Sequence, residues 1–305
     1  MTEKLLIVGG TGFIGKNLAS EALNNGFITS VLSLNEPQDK DKIDGVDYIQ
    51  ADIVNNIQLK DKLSTHRFDY IVNLSGYIDH SDFFDGGEHI INTHFLGLVN
   101  LLQIIDRTNL KRFLQIGSSD EYGSLKAPQN EEMRESPFSA YSLGKVASTH
   151  LLQMLYKTEN YPVGILRLFL VYGAGQDYKR FIPQVIRACL LGSQFPVSLG
   201  EQIRDFSFID DITRGILLAL KNDNVTGEVI NLASGIPISI REVVEKIQAI
   251  VGQGKPKFGE IPYRVGENMT LYADTKKTKK YLSWEPEISI EEGLMKTIEY
   301  YQCNI

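Results

Sequence analysis

A loop of regularly spaced glycines, set between an apolar run and a helical stretch, constrains this chain more than any other feature of its sequence. Residues 5–8 are continuously apolar, which is typical of a strand buried on both faces. Glycines directly after such a strand allow a tight turn and the close approach of a phosphate, and the following helix points its N-terminal amides at that phosphate. A glycine turn without a ligand is the alternative, but the position on the first strand–helix turn favours dinucleotide binding. The predicted cofactor contacts are Gly9, Gly12, Phe13, Ile14 and Gly15.

Strand-like and helical stretches alternate from residue 5 to residue 169. This alternation implies right-handed crossovers, so we predict an α/β fold with a doubly wound parallel Rossmann sheet. After residue 169 glycine and proline become frequent, and we expect a smaller C-terminal lobe that interleaves with the sheet. The predicted dinucleotide-binding domain spans residues 1–168 with segments near 204–233, and residues 169–305 form mainly the substrate-binding lobe. The predicted helices include residues 13–25, 57–66, 89–106 and 141–159.

The composition excludes several classes of protein. The 305 residues carry 31 basic and 38 acidic side chains, a formal net charge of −7, so we expect no nucleic-acid partner. No apolar stretch approaches the roughly 18 residues of a membrane span, and no secretory signal is visible at the start. Cys189 and Cys303 lie far apart, which argues against a disulfide framework or a cysteine-built metal site. We expect a cytoplasmic enzyme with no metal and no membrane partner.

The end of the second predicted strand bears on the choice of cofactor. An Asp or Glu there accepts from the ribose 2′-hydroxyl of NAD, whereas this chain has Ser33, with Asn35 two residues later. Without a carboxylate a 2′-phosphate is tolerated, and both side chains can donate to it, so we favour NADP(H) over NAD(H). Lys40 and Lys42 lie downstream and also carry positive charge. The alternative is a loop that does not contact the 2′ position of the ribose. The other predicted cofactor contacts are Asp52, which is equally typical of a turn, Ile53 and Leu74.

Tyr141 and Lys145 form a candidate acid–base pair, because a spacing of four projects both from one face of a helix. A phenol with a pKa near 10 is a poor acid–base group at neutral pH, and a neighbouring ammonium lowers that pKa. The same lysine can hydrogen-bond a nicotinamide ribose, so we assign both residues to the cofactor site as well. A surface lysine is the alternative; the glycine loop and Ser118, placed after the fifth strand, favour catalysis.

Together these motifs resemble the extended short-chain dehydrogenase/reductases, specifically the nucleotide-sugar epimerase, dehydratase and reductase family. The resemblance covers nearly the whole chain. Besides the glycine loop and the Tyr141–Lys145 pair, it rests on residues 72–76, Asn92 with Gly97, and residues 117–123, 167–173, 204–211, 263–267, 273–274 and 282–286.

The resemblance implies catalytic roles for four residues. Tyr141 resembles the family's acid–base residue, and Lys145 resembles its partner. Ser118 resembles the residue that hydrogen-bonds the reacting hydroxyl or carbonyl. Asn92 resembles the helix asparagine that supports the active-site lysine through water.

On the substrate side, the resemblance implies a nucleoside-diphosphate sugar. Arg204 and Arg264 resemble the pair that binds its diphosphate, a task suited to a planar guanidinium. Asp79 lies in a segment, residues 77–81, that is shorter than in typical dehydratases; it either faces the sugar or forms a loop turn. Where many relatives carry Asn for substrate contact, this chain has Leu170.

The residues after Ser118 bear on the reaction. The family's 4,6-dehydratases place an acid and a base there; this chain has Ser119 and Asp120, and Asp is shorter than the usual Glu by about one methylene. We assign both residues to the substrate site and expect a reductase, in which NADPH reduces C4 of a nucleoside-diphosphate 4-keto-6-deoxysugar while Tyr141 donates the proton. The alternatives are a 4-epimerase that keeps its cofactor bound, a 4,6-dehydratase, and a catalytically silent cofactor-binding scaffold.

The resemblance also bears on assembly. In this family, helices equivalent to residues 92–106 and 141–156 commonly pair across a dimer axis. The second stretch carries more apolar surface than one core-facing stripe needs. We expect a homodimer, with burial of these side chains inside a monomer as the alternative.

Overall fold

The computed structural model describes residues 2–264 and 266–304. Three residues lie outside this description: Met1, Val265 and Ile305. Val265 belongs to the segment 263–267, on which part of the family resemblance rests. In chain order the strands are β1 (Lys4–Val8), β2 (Ile28–Ser33), β3 (Asp47–Gln50), β4 (Tyr70–Asn73), β5 (Arg112–Ser118), β6 (Val163–Leu168), β7 (Leu170–Tyr172), β8 (Gln194–Val197), β9 (Ile203–Phe208), β10 (Val229–Leu232), β11 (Pro237–Ser239) and β12 (Lys255–Phe258).

Seven strands form one parallel sheet in the order β3-β2-β1-β4-β5-β6-β10. Its central strands are buried along their whole length, as strands covered by helices on both faces are. The chain order reverses between β1 and β4, and open α/β sheets bind their ligands at the carboxyl ends of the strands at such a point. The predicted α/β fold with a doubly wound parallel sheet is confirmed.

Helices cover both faces of this sheet. In chain order the helices of the whole fold are α1 (Phe13–Asn24), α2 (Asn56–Leu63), α3 (Gly87–Ile91), α4 (Gly97–Ile104), α5 (Ala140–Glu159), α6 (Phe181–Leu190), α7 (Ile209–Lys221), α8 (Ile240–Val251), α9 (Lys276–Leu282) and α10 (Ile290–Gln302). Apolar side chains of α1 and α7 pack on one face, and those of α2, α4 and α5 pack on the other. Within the described ranges, no helix is both long and apolar enough to cross a membrane.

Two smaller sheets follow β6. Strand β9 pairs in parallel with β7 and antiparallel with β11, while β8 pairs in parallel with β12. Helices α6, α8 and α10 share a core with these strands, whereas β10 returns to the edge of the large sheet. The chain therefore leaves the large sheet and re-enters it, and the division at residue 168 remains a prediction.

One predicted helix, residues 89–106, is interrupted in the structure. It consists of α3, a π-helical turn at Asn92–Leu96, and α4. A π-helical turn inserts one residue relative to the α-helical repeat, so side chains after it face new directions. This change in direction affects the candidate site.

Candidate active site

The glycine loop joins β1 to α1 and leaves the N-terminus of α1 open. Gly9 has a φ of +79°, and a Cβ on it would lie 2.9 Å from the carbonyl carbon of Leu74. A Cβ on Gly15 would lie 2.5 Å from Gly10 Cα, so α1 packs directly against the loop. Gly12 is exposed, and no side chain of the described residues caps α1. These open amides fit the diphosphate of a dinucleotide.

Two of the groups that favoured a 2′-phosphate, Ser33 and Lys42, already have protein partners. The Ser33 hydroxyl donates to the carbonyl of Asn35 at 2.9 Å. Lys42 pairs with Glu36 at 2.7 Å and with Asp39 at 3.1 Å. The structure thus weakens the physical basis of the predicted preference for NADP(H).

The remaining predicted cofactor contacts lie around the same edge of the sheet. Asp52 Oδ1 accepts from the amide of Val54 at 2.9 Å, which is the turn role named as its alternative. Ile53 packs against the start of α4, where a Cβ on Gly97 would lie 2.8 Å from it. Leu74 directly follows β4 and borders Gly9. Their contacts with a cofactor stay predictions.

Tyr141 and Lys145 project from α5 toward the carboxyl end of β5. Both are only 5% exposed. Lys145 Nζ donates to the carbonyl of Ile116 at 2.8 Å and lies 5.9 Å from the centre of the Tyr141 ring. The Tyr141 phenol lies close enough to Ser118, the last residue of β5, for the serine side chain to lower its pKa. The structure therefore brings three of the four predicted catalytic residues together.

Burial dominates the titration of this pair. It raises the pKa of Tyr141 well above the usual value, and the charges of Asp120 and Glu121 raise it further, while Arg180 lowers it. Burial also lowers the pKa of Lys145 to about 8. We expected the lysine to lower the pKa of the phenol; desolvation and two carboxylates outweigh that effect. At neutral pH the fold holds a protonated phenol beside an ammonium.

The fourth predicted catalytic residue, Asn92, begins the π-helical turn and is half-buried. Two residues later, His94 is 3% exposed and stands edge-on to Tyr141, with the ring centres 5.0 Å apart. Its Nε2 lies 3.0 Å from the carbonyl oxygen of Tyr77. Sequence reasoning missed His94, because its role depends on a ring contact with a helix far along the chain.

A short 3₁₀ helix, Ser119–Tyr122, places Asp120 at the site. Asp120 Oδ2 lies 3.7 Å from Nε2 of His80, whose ring is edge-on to Tyr141 at 5.8 Å. Asp79, the predicted substrate contact, accepts instead from the amide and the hydroxyl of the serine two residues later, at 2.7 and 2.5 Å. In this segment His80, rather than Asp79, is the residue whose ring lies beside Tyr141.

Beneath Ser118 lies a buried ionic network that the sequence did not reveal. Glu121 Oε1 accepts from the Ser118 amide at 2.9 Å. Its Oε2 accepts from Thr149 Oγ1 and from Arg167 Nε, both at 3.0 Å, and Arg167 also pairs with Glu135 at 2.6 Å. A buried carboxylate requires such partners, and the network also holds the backbone of Ser118 in place.

The two predicted diphosphate-binding arginines lie near each other, and Arg204 also lies near Asp120. Burial and the charge of Arg264 lower the pKa of Arg204, while Glu267 and Asp120 oppose this change. Arg204 pairs with Glu267 and donates from Nη1 to the carbonyl of Ile203 at 2.9 Å. Two guanidinium groups close to each other favour an anion between them.

The fold and these motifs occur together in known enzymes. The model of the NAD dependent epimerase/dehydratase family matches residues 5–233. A UDP-glucuronate 4-epimerase from Thermodesulfobacterium geofontis is 29% identical over 320 residues, covering 98% of this chain and 96% of that protein. A dTDP-glucose 4,6-dehydratase from Xanthomonas campestris pv. campestris is 29% identical over 329 residues, covering 98% and 93%.

A solved structure extends the similarity to the whole fold. The crystal structure of UDP-glucose 4-epimerase from Thermotoga maritima, with UDP-glucose, has a TM-score of 0.91 and 25% identity, covering 99% of each chain. The expected resemblance to nucleotide-sugar enzymes is confirmed. On the family match, which extends from β1 through β10, this chain belongs to the NAD dependent epimerase/dehydratase family.

Proposed function

We propose that this protein is a nucleoside-diphosphate-sugar 4-epimerase that retains NAD through the reaction. The observation that carries the proposal is the buried Tyr141 phenol, which lies beside Ser118 and near the buried Lys145. Epimerisation at C4 requires one site that first oxidises a hydroxyl and then reduces the ketone. Two hydroxyls that can hold the same oxygen and exchange its proton suit both steps.

The comparisons support this alternative better than the reductase that we expected from the sequence. The relatives named above are two 4-epimerases and a 4,6-dehydratase, and the family is described as NAD dependent. The partners of Ser33 and Lys42 give a physical reason to prefer NAD, because neither group is free for a 2′-phosphate. An epimerase needs no exchange of its cofactor with solvent.

The chain's own residues suffice for the proton chemistry. The loop Gly9–Gly15 and Lys145 would hold NAD, which would supply the hydride acceptor for C4. Inversion requires the sugar to present the opposite face of its C4 ketone before the hydride returns. Tyr141 takes the proton of the C4 hydroxyl and gives it back, while Ser118 holds the same oxygen. Because burial disfavours the phenolate, the Lys145 ammonium is needed beside it, and with a pKa of about 8 it is mostly charged at neutral pH.

We propose that the C-terminal lobe, mainly residues 169–305, binds the nucleotide sugar. Arg204 and Arg264 would hold the diphosphate; the effect of the Arg264 charge on the pKa of Arg204 supports this role, because it indicates that the two guanidinium groups are close. Arg180, which sequence reasoning missed, is close enough to Tyr141 to lower the pKa of the phenol and would face the sugar or its phosphate.

We also propose a cytoplasmic homodimer. Exposed apolar side chains on the outer faces of the π-helical turn and α5 support a paired surface; these are Leu96, Leu143 and Met154. Both cysteines are free, which suits a reducing compartment. Light scattering on the purified protein tests the assembly: a mass near 34 kDa, that of one chain, contradicts the dimer.

Incubation of the purified protein with UDP- and dTDP-sugars, followed by chromatography and mass spectrometry, tests the reaction. We expect interconversion of C4 epimers without net change in NAD, and none with Tyr141→Phe. Stoichiometric consumption of NADPH with a 4-keto-6-deoxysugar would support the reductase instead. A product lighter by one water would identify a 4,6-dehydratase.

A further inference from the structure

The π-helical turn Asn92–Leu96 contains His94, which is buried beside the acid–base pair of Tyr141 and Lys145. π-helical turns are rare and occur frequently at functional sites. His94, at the middle of the turn, is 3% exposed, whereas Leu96 at its end is exposed. The backbone carbonyl of His94 also accepts from Ser148 Oγ at 3.0 Å, which fastens the turn to α5.

Two glycines make room for this imidazole. A Cβ on Gly76, which has a φ of +98°, would lie 2.1 Å from His94 Cε1. A Cβ on Gly144 would lie 3.0 Å from His94 Cβ. Because real Cβ atoms do not approach this closely, any larger residue at Gly76 would displace the ring. The surrounding backbone is therefore shaped to hold a histidine ring.

The imidazole is a neutral hydrogen-bond donor. Its Nε2 lies 3.0 Å from the carbonyl oxygen of Tyr77, which can only accept, so Nε2 carries the proton. Burial, reinforced by the charge of Lys145, lowers the pKa of His94 to about 3. A second proton is thus excluded at physiological pH, and His94 does not serve as an acid.

His94 consequently joins two parts of the site. Its ring edge supports the Tyr141 ring at 5.0 Å and 82°, and its Nε2 proton holds the backbone of Tyr77, three residues before His80. We propose that His94 is a positioning residue, which fixes the Tyr141 phenol relative to the segment after β4 and so sets the geometry of proton transfer. The proposal rests on the acid–base role of Tyr141 in the proposed function.

A first measurement needs no sugar substrate. NAD-loaded full-length protein with ¹⁵N-labelled histidine and ¹³Cζ-labelled tyrosine is followed by NMR from pH 5.5 to 8.5, with signals assigned by His94→Gln and Tyr141→Phe. We expect His94 to stay neutral with its proton on Nε2, and His94→Gln to shift the Tyr141 signal more than that of any other tyrosine. Protonation of His94 within this range, or an unmoved Tyr141 signal, overturns the proposal.

The second measurement separates the two contacts by kinetics. His94→Phe keeps an aromatic ring against Tyr141 without the donor, and His94→Gln keeps a donor without the ring. We expect each variant to lower kcat by about 10- to 100-fold, because small misplacements of catalytic groups have effects of this size. KM should change by less than about threefold, since direct sugar contacts are untouched.

The matched control is His89→Phe, the same substitution at an exposed histidine of α3. It should leave kcat unchanged. Wild-type kcat in both His94 variants, or an equal loss in the control, overturns the positioning role. Failure of the proposed function can be told apart from failure of the positioning role. If the proposed function is wrong, the wild-type protein itself does not epimerise the sugar. The NMR result then still decides for or against the role of His94.

Discussion

The glycine loop, Gly9–Gly15, and the acid–base end of the site, formed by Ser118, Tyr141 and Lys145, lie at the same edge of the sheet but are held together differently. The loop is fixed by backbone contacts, such as Gly12 N to Gly9 O at 3.1 Å and Gly9 N to Leu32 O at 2.7 Å. At the acid–base end, Lys145 donates to a carbonyl 29 residues away, and Glu121 binds Arg167 46 residues away. The first region depends on the absence of side chains, and the second depends on which side chains are present.

This difference has consequences for mutation. A substitution in the loop acts through steric exclusion, so it should impair folding and cofactor affinity together. A substitution at the acid–base end can remove chemistry while the fold stays intact, because packing there involves several segments. The four predictions below test this contrast.

Tyr141→Phe should have the largest effect. We expect kcat to fall by about a thousandfold, because general acid–base catalysis contributes about 10²- to 10⁴-fold. Bound NAD and the melting temperature should change little, since the ring and its contact with His94 remain. Steady-state kinetics, cofactor content and thermal unfolding check this. Activity within tenfold of wild type would contradict an acid–base role for Tyr141.

Tyr161→Phe is the matched control. Tyr161 is buried, and its hydroxyl has no hydrogen-bond partner among the described residues. Loss of an unpaired buried hydroxyl is neutral or slightly stabilising, so both kcat and stability should be maintained. An equal loss of kcat in this control would show that the effect at Tyr141 is structural.

Lys145→Met should change how stability depends on pH in protein freed of nucleotide. The folded-state pKa of Lys145, about 8, lies below the 10.5 of a lysine in water. Burying its charged ammonium therefore destabilises the folded protein by about 3 kcal/mol below pH 8. This cost fades as pH rises, because the folded lysine loses its proton before the unfolded one does. Methionine carries no such cost and should stabilise the protein at pH 7.

Between pH 7 and pH 10 the stability advantage of Lys145→Met should therefore shrink by about 2 to 3 kcal/mol. Denaturant unfolding of both proteins at several pH values measures it. Lys157→Met, at an exposed position of the same helix, should show a constant difference from wild type. A constant difference for Lys145→Met as well would indicate that the folded lysine is not desolvated.

The contrast between the two regions also explains what the sequence could predict. The glycine loop and the Tyr141–Lys145 spacing are short-range patterns, and the alternating strands imply the parallel sheet. His94 and Glu121 carry no such signal, because both depend on partners far along the chain: Tyr141 for His94, and Thr149 and Arg167 for Glu121. The strands after β6 have only three to six residues, and β8, β11 and β12 contain proline, so they lack a clear period.

Gly15→Ala should act on fold and cofactor together. The new Cβ would lie 2.5 Å from Gly10 Cα, which is backbone and cannot rotate away. We expect a loss of about 2 kcal/mol in the free energy of unfolding and roughly tenfold weaker NAD binding, because overpacking displaces the loop. Denaturant unfolding and calorimetric titration with NAD measure the two effects.

Gly26→Ala, beyond the other end of α1, is the matched control. Gly26 has a φ of +81°, and a Cβ there would meet no atom within 4 Å among the described residues. Backbone strain should cost about 1 kcal/mol, but NAD affinity should stay unchanged. If Gly15→Ala likewise leaves NAD affinity unchanged, the loop does not form the cofactor site.

Ser33→Asp should have the smallest effect. It tests the end of β2 beside the glycine loop, where a side chain rather than the backbone would distinguish NAD(H) from NADP(H). A carboxylate there repels a 2′-phosphate but can accept from a 2′-hydroxyl, so NADP(H) should bind about tenfold more weakly while NAD(H) affinity changes by less than threefold. Ser33→Ala removes the same hydroxyl bond to Asn35 without adding charge and should leave the ratio of the two affinities unchanged. If wild type instead binds NADPH more tightly than NADH, and Ser33→Ala abolishes that preference, the serine itself recognises the phosphate. A side chain would then determine the choice of cofactor, as side chains determine the chemistry at the acid–base end. The contrast between the two regions would in that case hold only for the glycines of the loop.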